Sequence, residues 1–117
     1  MGVATQAKDN HKELYMPKVI DTIRITGFVS RIFFNYGDTG MTSALVMVKG
    51  TPKIFKIPAP DRVSPFAPSL KLTKAGDRVH FEMSVERSFL AGEYENLVSW
   101  TNETLDQELK PAPNYKD

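Results

Sequence analysis

The chain has 117 residues, 41% hydrophobic and 25% charged, proportions that fit one soluble globular domain with a single core. It has no cysteine and only two histidines, His11 and His80, so disulfides and thiolate metal sites are excluded and neither a metal nor a cofactor is expected. The net charge of +1 hides an asymmetry: residues 18–87 carry 11 Lys and Arg against 6 Asp and Glu, whereas residues 88–117 carry 2 against 6.

A basic body followed by an acidic end suggests a polyanionic partner, the plainer alternative being two solvated surfaces. No apolar run approaches the roughly 20 residues that span a bilayer, and no signal-peptide core is present at the N-terminus. Gly2 could begin a myristoylation signal, but Gln6 stands where that signal wants Ser or Thr. A cytoplasmic protein that does not enter membranes is therefore expected.

Residues 1–17 are polar and without sustained period, and they read as a flexible leader, with a short helix possible from Asp9 to Leu14. Strand one is expected from about Val19 to Phe34. Ile23, Ile25 and Val29 share one face, Gly27 sits between them, and a glycine inside a strand usually marks a bend or bulge. After Val29 the apolar phase slips to Ile32 and Phe34, as it would if a bulge let one long strand serve two sheets. Asn35 to Gly40 supplies a hairpin loop, Met41 to Lys49 strand two, and Lys53 to Pro58 strand three.

Pro58, Pro60, Pro65 and Pro68 then forbid regular structure, although Val63, Phe66 and Leu70 have the spacing of a short helical plug. Val79, Phe81, Met83 and Val85 alternate with polar residues and mark strand four. Tyr94 to about Thr101 is strand five. Residues 103–117 form an acidic tail that can begin as a helix from Glu103 to Leu109 and is otherwise expected to be flexible.

One long bent strand, a three-strand meander, a long third connection and a closing hairpin resemble the oligonucleotide/oligosaccharide-binding (OB) fold, a five-stranded Greek-key barrel. The run Lys74-Ala75-Gly76-Asp77-Arg78-Val79-His80-Phe81 is similar to the Lys-x-Gly-Asp-x-Val lead-in to the fourth strand of single-stranded DNA-binding proteins of that fold. With a basic barrel over residues 18–102, the chain resembles the phage and plasmid type. The chain ends Pro113-Asn114-Tyr115-Lys116-Asp117, unlike the acidic, apolar-tipped ends of the bacterial proteins. The resemblance implies sequence-tolerant protection of single-stranded DNA in replication or recombination. It also implies partners among replication or recombination proteins, self-association, and the cytoplasm of a bacterial or phage-infected cell.

Such binding needs cations for phosphates and aromatic faces for bases. Three clusters offer both. Arg31, Phe33, Phe34 and Tyr36 lie at the end of strand one; Lys49, Lys53, Phe55 and Lys56 on the 2–3 hairpin; Arg87, Phe89, Tyr94 and Trp100 around the 4–5 hairpin. In a barrel of this kind they would converge on the face of strands two and three. Phe28 and Phe33 compete for the core according to where the bulge lies, and Trp100 is either a plug or a stacking platform. Phe89 and Tyr94 are likewise open, Tyr36 is the foremost stacking candidate, and the lysines could instead protect a strand edge. No nucleophile elbow, P-loop, HExxH or dinucleotide fingerprint occurs, so an enzyme is not expected. The alternatives are a structural or protein-interaction subunit of a multiprotein assembly, such as a phage particle, and an RNA-binding barrel.

Overall fold

The computed structural model describes residues 17–109. The leader, its expected helix from Asp9 to Leu14 and residues 110–117 lie outside the described residues. The elements run β1 (Lys18–Gly37), β2 (Gly40–Val48), β3 (Ile54–Pro58), α1 (Ala67–Lys71), β4 (Arg78–Ser88), β5 (Gly92–Asn102) and α2 (Glu103–Glu108). The five strands form one antiparallel sheet in the order β3-β2-β1-β4-β5, so the chain is predominantly β with β1 at its centre.

The first half of β1 pairs with β4, from Lys18 opposite Arg87 to Phe28 opposite Arg78, and the second half pairs with β2, from Val29 opposite Val48 to Gly37 opposite Gly40. The ladder with β2 shifts register between Val29 and Arg31. Ser30 is the extra residue, and its hydroxyl donates to the Met47 carbonyl at 3.1 Å. This bulge is the phase slip visible in the sequence: Ile23, Ile25 and Val29 face the core before it, Ile32 and Phe34 after it. Gly27 lies in regular register opposite Val79. Its reason is close approach, because a Cβ there would meet Val48 Cγ1 at 2.7 Å.

The sheet curls round its inner face. Phe55 of β3 meets Phe81 of β4 edge-on, with centroids 5.4 Å apart, and Phe81 stacks on Trp100 of β5 at 5.3 Å. Val29, Val46, Ile57, Val79 and Met83, from β1 to β4, complete the core. Pro58 to Leu72 crosses one end: α1 buries Ala67 and Leu70, and Phe66 packs beside them. Val63 does not join this plug and is 79% exposed.

The Lys74-Ala75-Gly76-Asp77 lead-in is a structural joint. Gly76 takes a positive φ of 95°, its N–H donates to the Val29 carbonyl at 2.8 Å, and Val29 N–H donates to the Asp77 carbonyl at 2.8 Å. The Asp77 carboxylate, only 2% exposed, accepts from Lys74 N–H at 3.1 Å and from Asn102 Nδ2 at 2.9 Å. Burial by itself would raise its pKa. The hydrogen bonds from Asn102 and Lys74, with the lysine charge, outweigh that and hold it below the ordinary carboxylate range.

Asn102 also caps α2, accepting from Leu105 N–H at 2.8 Å. Two acids of that helix are committed to the body, Glu103 to Arg78 at 2.8 Å and Glu108 to Lys74 at 3.8 Å. Residues 103–108 thus form the short helix with which the acidic tail was expected to begin, tied to the body by these ion pairs with no residue buried.

Candidate nucleic-acid interface

The two halves of β1 present different outer faces. In the first half of β1, which pairs with β4, the outward row holds Arg24 with Glu82, and Thr26 with His80 and, from β5, Thr101; it ends in Phe28, 46% exposed, with the Arg78 guanidinium 5.7 Å from its ring centroid. In the second half, which pairs with β2 and through it aligns with β3, the register sets Arg31, Met47 and Ile54 in one row, and Phe33, Leu45 and Lys56 in the next. Directly opposed residues share a face in an antiparallel ladder, so these six form one outer surface. Phe33 and Ile54 are each 53% exposed, and no acid occupies either row.

Ion pairing separates the cations further. Arg24, Lys53, Lys71, Lys74, Arg78 and Arg87 form ion pairs, whereas among the described residues Lys18, Arg31, Lys49, Lys56 and Arg62 form none. Arg31 and Lys56 belong to the apolar face, and Lys49 follows the last residue of β2 at its edge.

Two open clefts flank that face. One, of about 570 Å³, lies between the β1 bulge and the lead-in to β4, lined by Arg31, Phe33, Phe34 and Lys74 among others. The second, of about 580 Å³, separates the edges of β3 and β5 and is lined by Lys53, Ile54, Lys56, Pro58, Tyr94, Glu95 and Asn96. It brings together three residues singled out in the sequence from two different clusters: Lys53, Lys56 and Tyr94.

The remaining residues are placed less uniformly. Tyr36 is 66% exposed at the 1–2 hairpin, opposite Met41. Arg87 is bound to Glu93 at 2.6 Å, and Phe89, 65% exposed, lies in the 4–5 turn; both stand at the far end of the arm formed by β4 and β5. Lys53 Nζ lies 5.2 Å from the Phe55 ring centroid and 3.4 Å from Glu95 Oε2. Hydrogen bonds from Asn96, Ser84 and Tyr94 hold the Glu86 carboxyl below its ordinary range, and Glu95 is the acid that lines the second cleft.

Three aromatic assignments change. Phe55 and Trp100 are 2% and 6% exposed and belong to the core, so neither offers a ring to a ligand. Phe34 packs against the core from the inward phase set by the bulge, while Phe33 next to it faces out. Leu45, Met47 and Ile54 were not foreseen. The signal for Leu45 and Met47 was present in strand two, where Ala44 to Val48 is apolar at every position and so needs cover on both faces.

Among the described residues no group of three or more His, Asp and Glu is placed to hold a metal ion, and no helix is long and apolar enough to cross a membrane. No protein-family model matches the chain, and no curated protein or solved structure matches it significantly.

Proposed function

We propose that this protein binds single-stranded DNA without strong sequence choice, through the outer face of β1, β2 and β3. The observation that carries the reading is the coincidence on one face of an exposed aromatic ring, partly exposed aliphatic residues and cations that have no acidic partner. Phe33 supplies a stacking surface, Leu45, Met47 and Ile54 a dry floor, and Arg31, Lys49 and Lys56 the phosphate contacts. The strand order β3-β2-β1-β4-β5, with a shared bulged β1 and facing edges at β3 and β5, supports a Greek-key barrel of OB type. In that fold this face is the usual oligonucleotide groove. The proposed role is protection of single strands in replication or recombination, by a self-associating, non-enzymatic cytoplasmic protein.

The test is a titration of fluorescently labelled oligo-dT by anisotropy across a salt series, repeated with oligo-rU and with duplex DNA. Oligo-dT should bind more tightly than duplex. The double variant Arg31→Gln, Lys56→Gln should weaken binding and flatten the slope of log K against log salt by about 1.4, at roughly 0.7 per phosphate contact on a single strand. An unchanged slope would place the phosphates elsewhere. Equal or tighter binding of oligo-rU would favour the RNA-binding barrel. The exposed Ile54 and the aliphatic floor favour one further reading, a protein-interaction face, which stands if no nucleic acid binds at low salt.

A further inference from the structure

Resting on the single-strand reading, we propose that the cleft between β3 and β5 is a subsite for one guanine base, read by the Lys53–Glu95 pair. The cleft has a size usual for small-ligand sites. Ile54 and Lys56 belong both to the outer face and to the cleft wall, so a strand crossing the face reaches the cleft without leaving the protein. Tyr94, Ile54 and Pro58 give it apolar walls against which a base can lie.

Its polar end is a half-exposed ion pair, Lys53 Nζ to Glu95 Oε2 at 3.4 Å, with side chains 47% and 32% exposed. That pair offers one donor beside two acceptor oxygens, because an ionised carboxylate only accepts and an ammonium only donates. The complementary edge is an acceptor beside two donors. Guanine has it, with O6 next to N1–H and N2–H. Thymine and uracil present acceptor, donor, acceptor; cytosine presents donor, acceptor, acceptor; adenine presents one donor and one acceptor. Only guanine satisfies the ammonium and both carboxylate oxygens together. The neighbouring Asn96 is turned toward Glu86, to which its Nδ2 donates at 2.7 Å.

The experiment uses the full chain and oligo-dT in which one central position is replaced by G, A or C, with affinities measured in competition against labelled oligo-dT. The G-containing strand should bind about fivefold more tightly than the all-T strand, the lower end of what a bidentate base contact gives. Glu95→Gln, a nearly isosteric change at a half-exposed side chain, should abolish the G-to-T ratio while oligo-dT still binds. A ratio of one in the parent protein, or a ratio that survives Glu95→Gln, overturns the subsite and leaves single-strand binding standing. So does a uniform tightening of all four strands in Glu95→Gln with their ratios unchanged, which would mean that Glu95 only repels phosphate. If no oligonucleotide binds at all, the function proposed above falls, and the subsite with it.

Discussion

Asn102→Ala should be among the most damaging single substitutions in this chain, although Asn102 touches neither cleft. Its side chain is fully buried, its Oδ1 caps α2, and its Nδ2 donates to both Thr73 Oγ1 and Asp77 Oδ2 at 2.9 Å. Losing the cap costs about 1 kcal/mol. Depriving the buried Asp77 carboxylate of a donor costs about 2 kcal/mol more, the range for a buried charged acceptor left short of a partner. The total of about 3 kcal/mol, at a urea m-value of about 1.5 kcal/mol/M, lowers the unfolding midpoint by roughly 2 M.

The chain's single tryptophan, Trp100, is buried against Phe81 and reports the transition by fluorescence. A pH signature accompanies the loss. With its pKa held below the unfolded value, Asp77 contributes stability that is present above the unfolded pKa and is lost as pH falls through the folded one. Removing Asn102 raises the folded pKa, so the acid limb of unfolding should move to higher pH. A loss under 1 kcal/mol with an unmoved acid limb would refute this account of the joint.

Two further outcomes follow from the packing. Gly27→Ala should destabilise by about 1–3 kcal/mol without altering ligand contacts, since the new methyl meets the β-branched, buried Val48 rather than a side chain able to swing aside; thermal unfolding would show it. Phe33→Ala and Phe34→Ala should separate cleanly. The first should change stability by no more than about 0.5 kcal/mol yet weaken oligo-dT binding by about 1–3 kcal/mol. The second should cost about 2 kcal/mol in urea melts, below the usual range for a fully buried Phe. Equal effects of the two on stability would mean that the bulge phase is wrong.

The strands were legible where their inner residues alternate, although strand four breaks the pattern at its end, where Ser84 is buried and Val85 only partly so. Val79, Phe81 and Met83 are all fully buried, as the period of two requires. The slip after Val29 was legible as well, but its exact site was not, and that one residue decides whether Phe33 or Phe34 faces solvent. Gly27 drew attention toward a bend when its role is steric. Phe55 was placed with the ligand-facing residues because it shares the 2–3 hairpin with Lys53, as with Lys49 and Lys56. The structure shows Lys53 reaching over the Phe55 ring to Glu95, a contact between residues 42 positions apart that no local pattern announces. Net charge was silent for a similar reason: Glu93, Glu95, Glu103 and Glu108 of the acidic end pair with Arg87, Lys53, Arg78 and Lys74, and only pairing distinguishes those cations from Arg31, Lys49 and Lys56.

The division of β1 between two partners also sets the order in which the protein can assemble. Its second half meets β2 across a tight turn, Gly37 opposite Gly40, whereas its first half must find β4, whose nearest partnered residue, Arg78, lies 50 positions beyond Phe28. Loop closure grows as about (3/2)RT ln n, so the second pairing carries an extra entropic barrier of roughly 2–3 kcal/mol. The β1–β2 hairpin should thus be the early-forming piece, and the Ile23 to Val29 stretch the last to be covered. During that interval the inner face of the chain's longest strand stands open, and a neighbouring molecule at the same stage offers it a matching edge. Expression yield and refolding concentration, more than equilibrium stability, are where that exposure is felt.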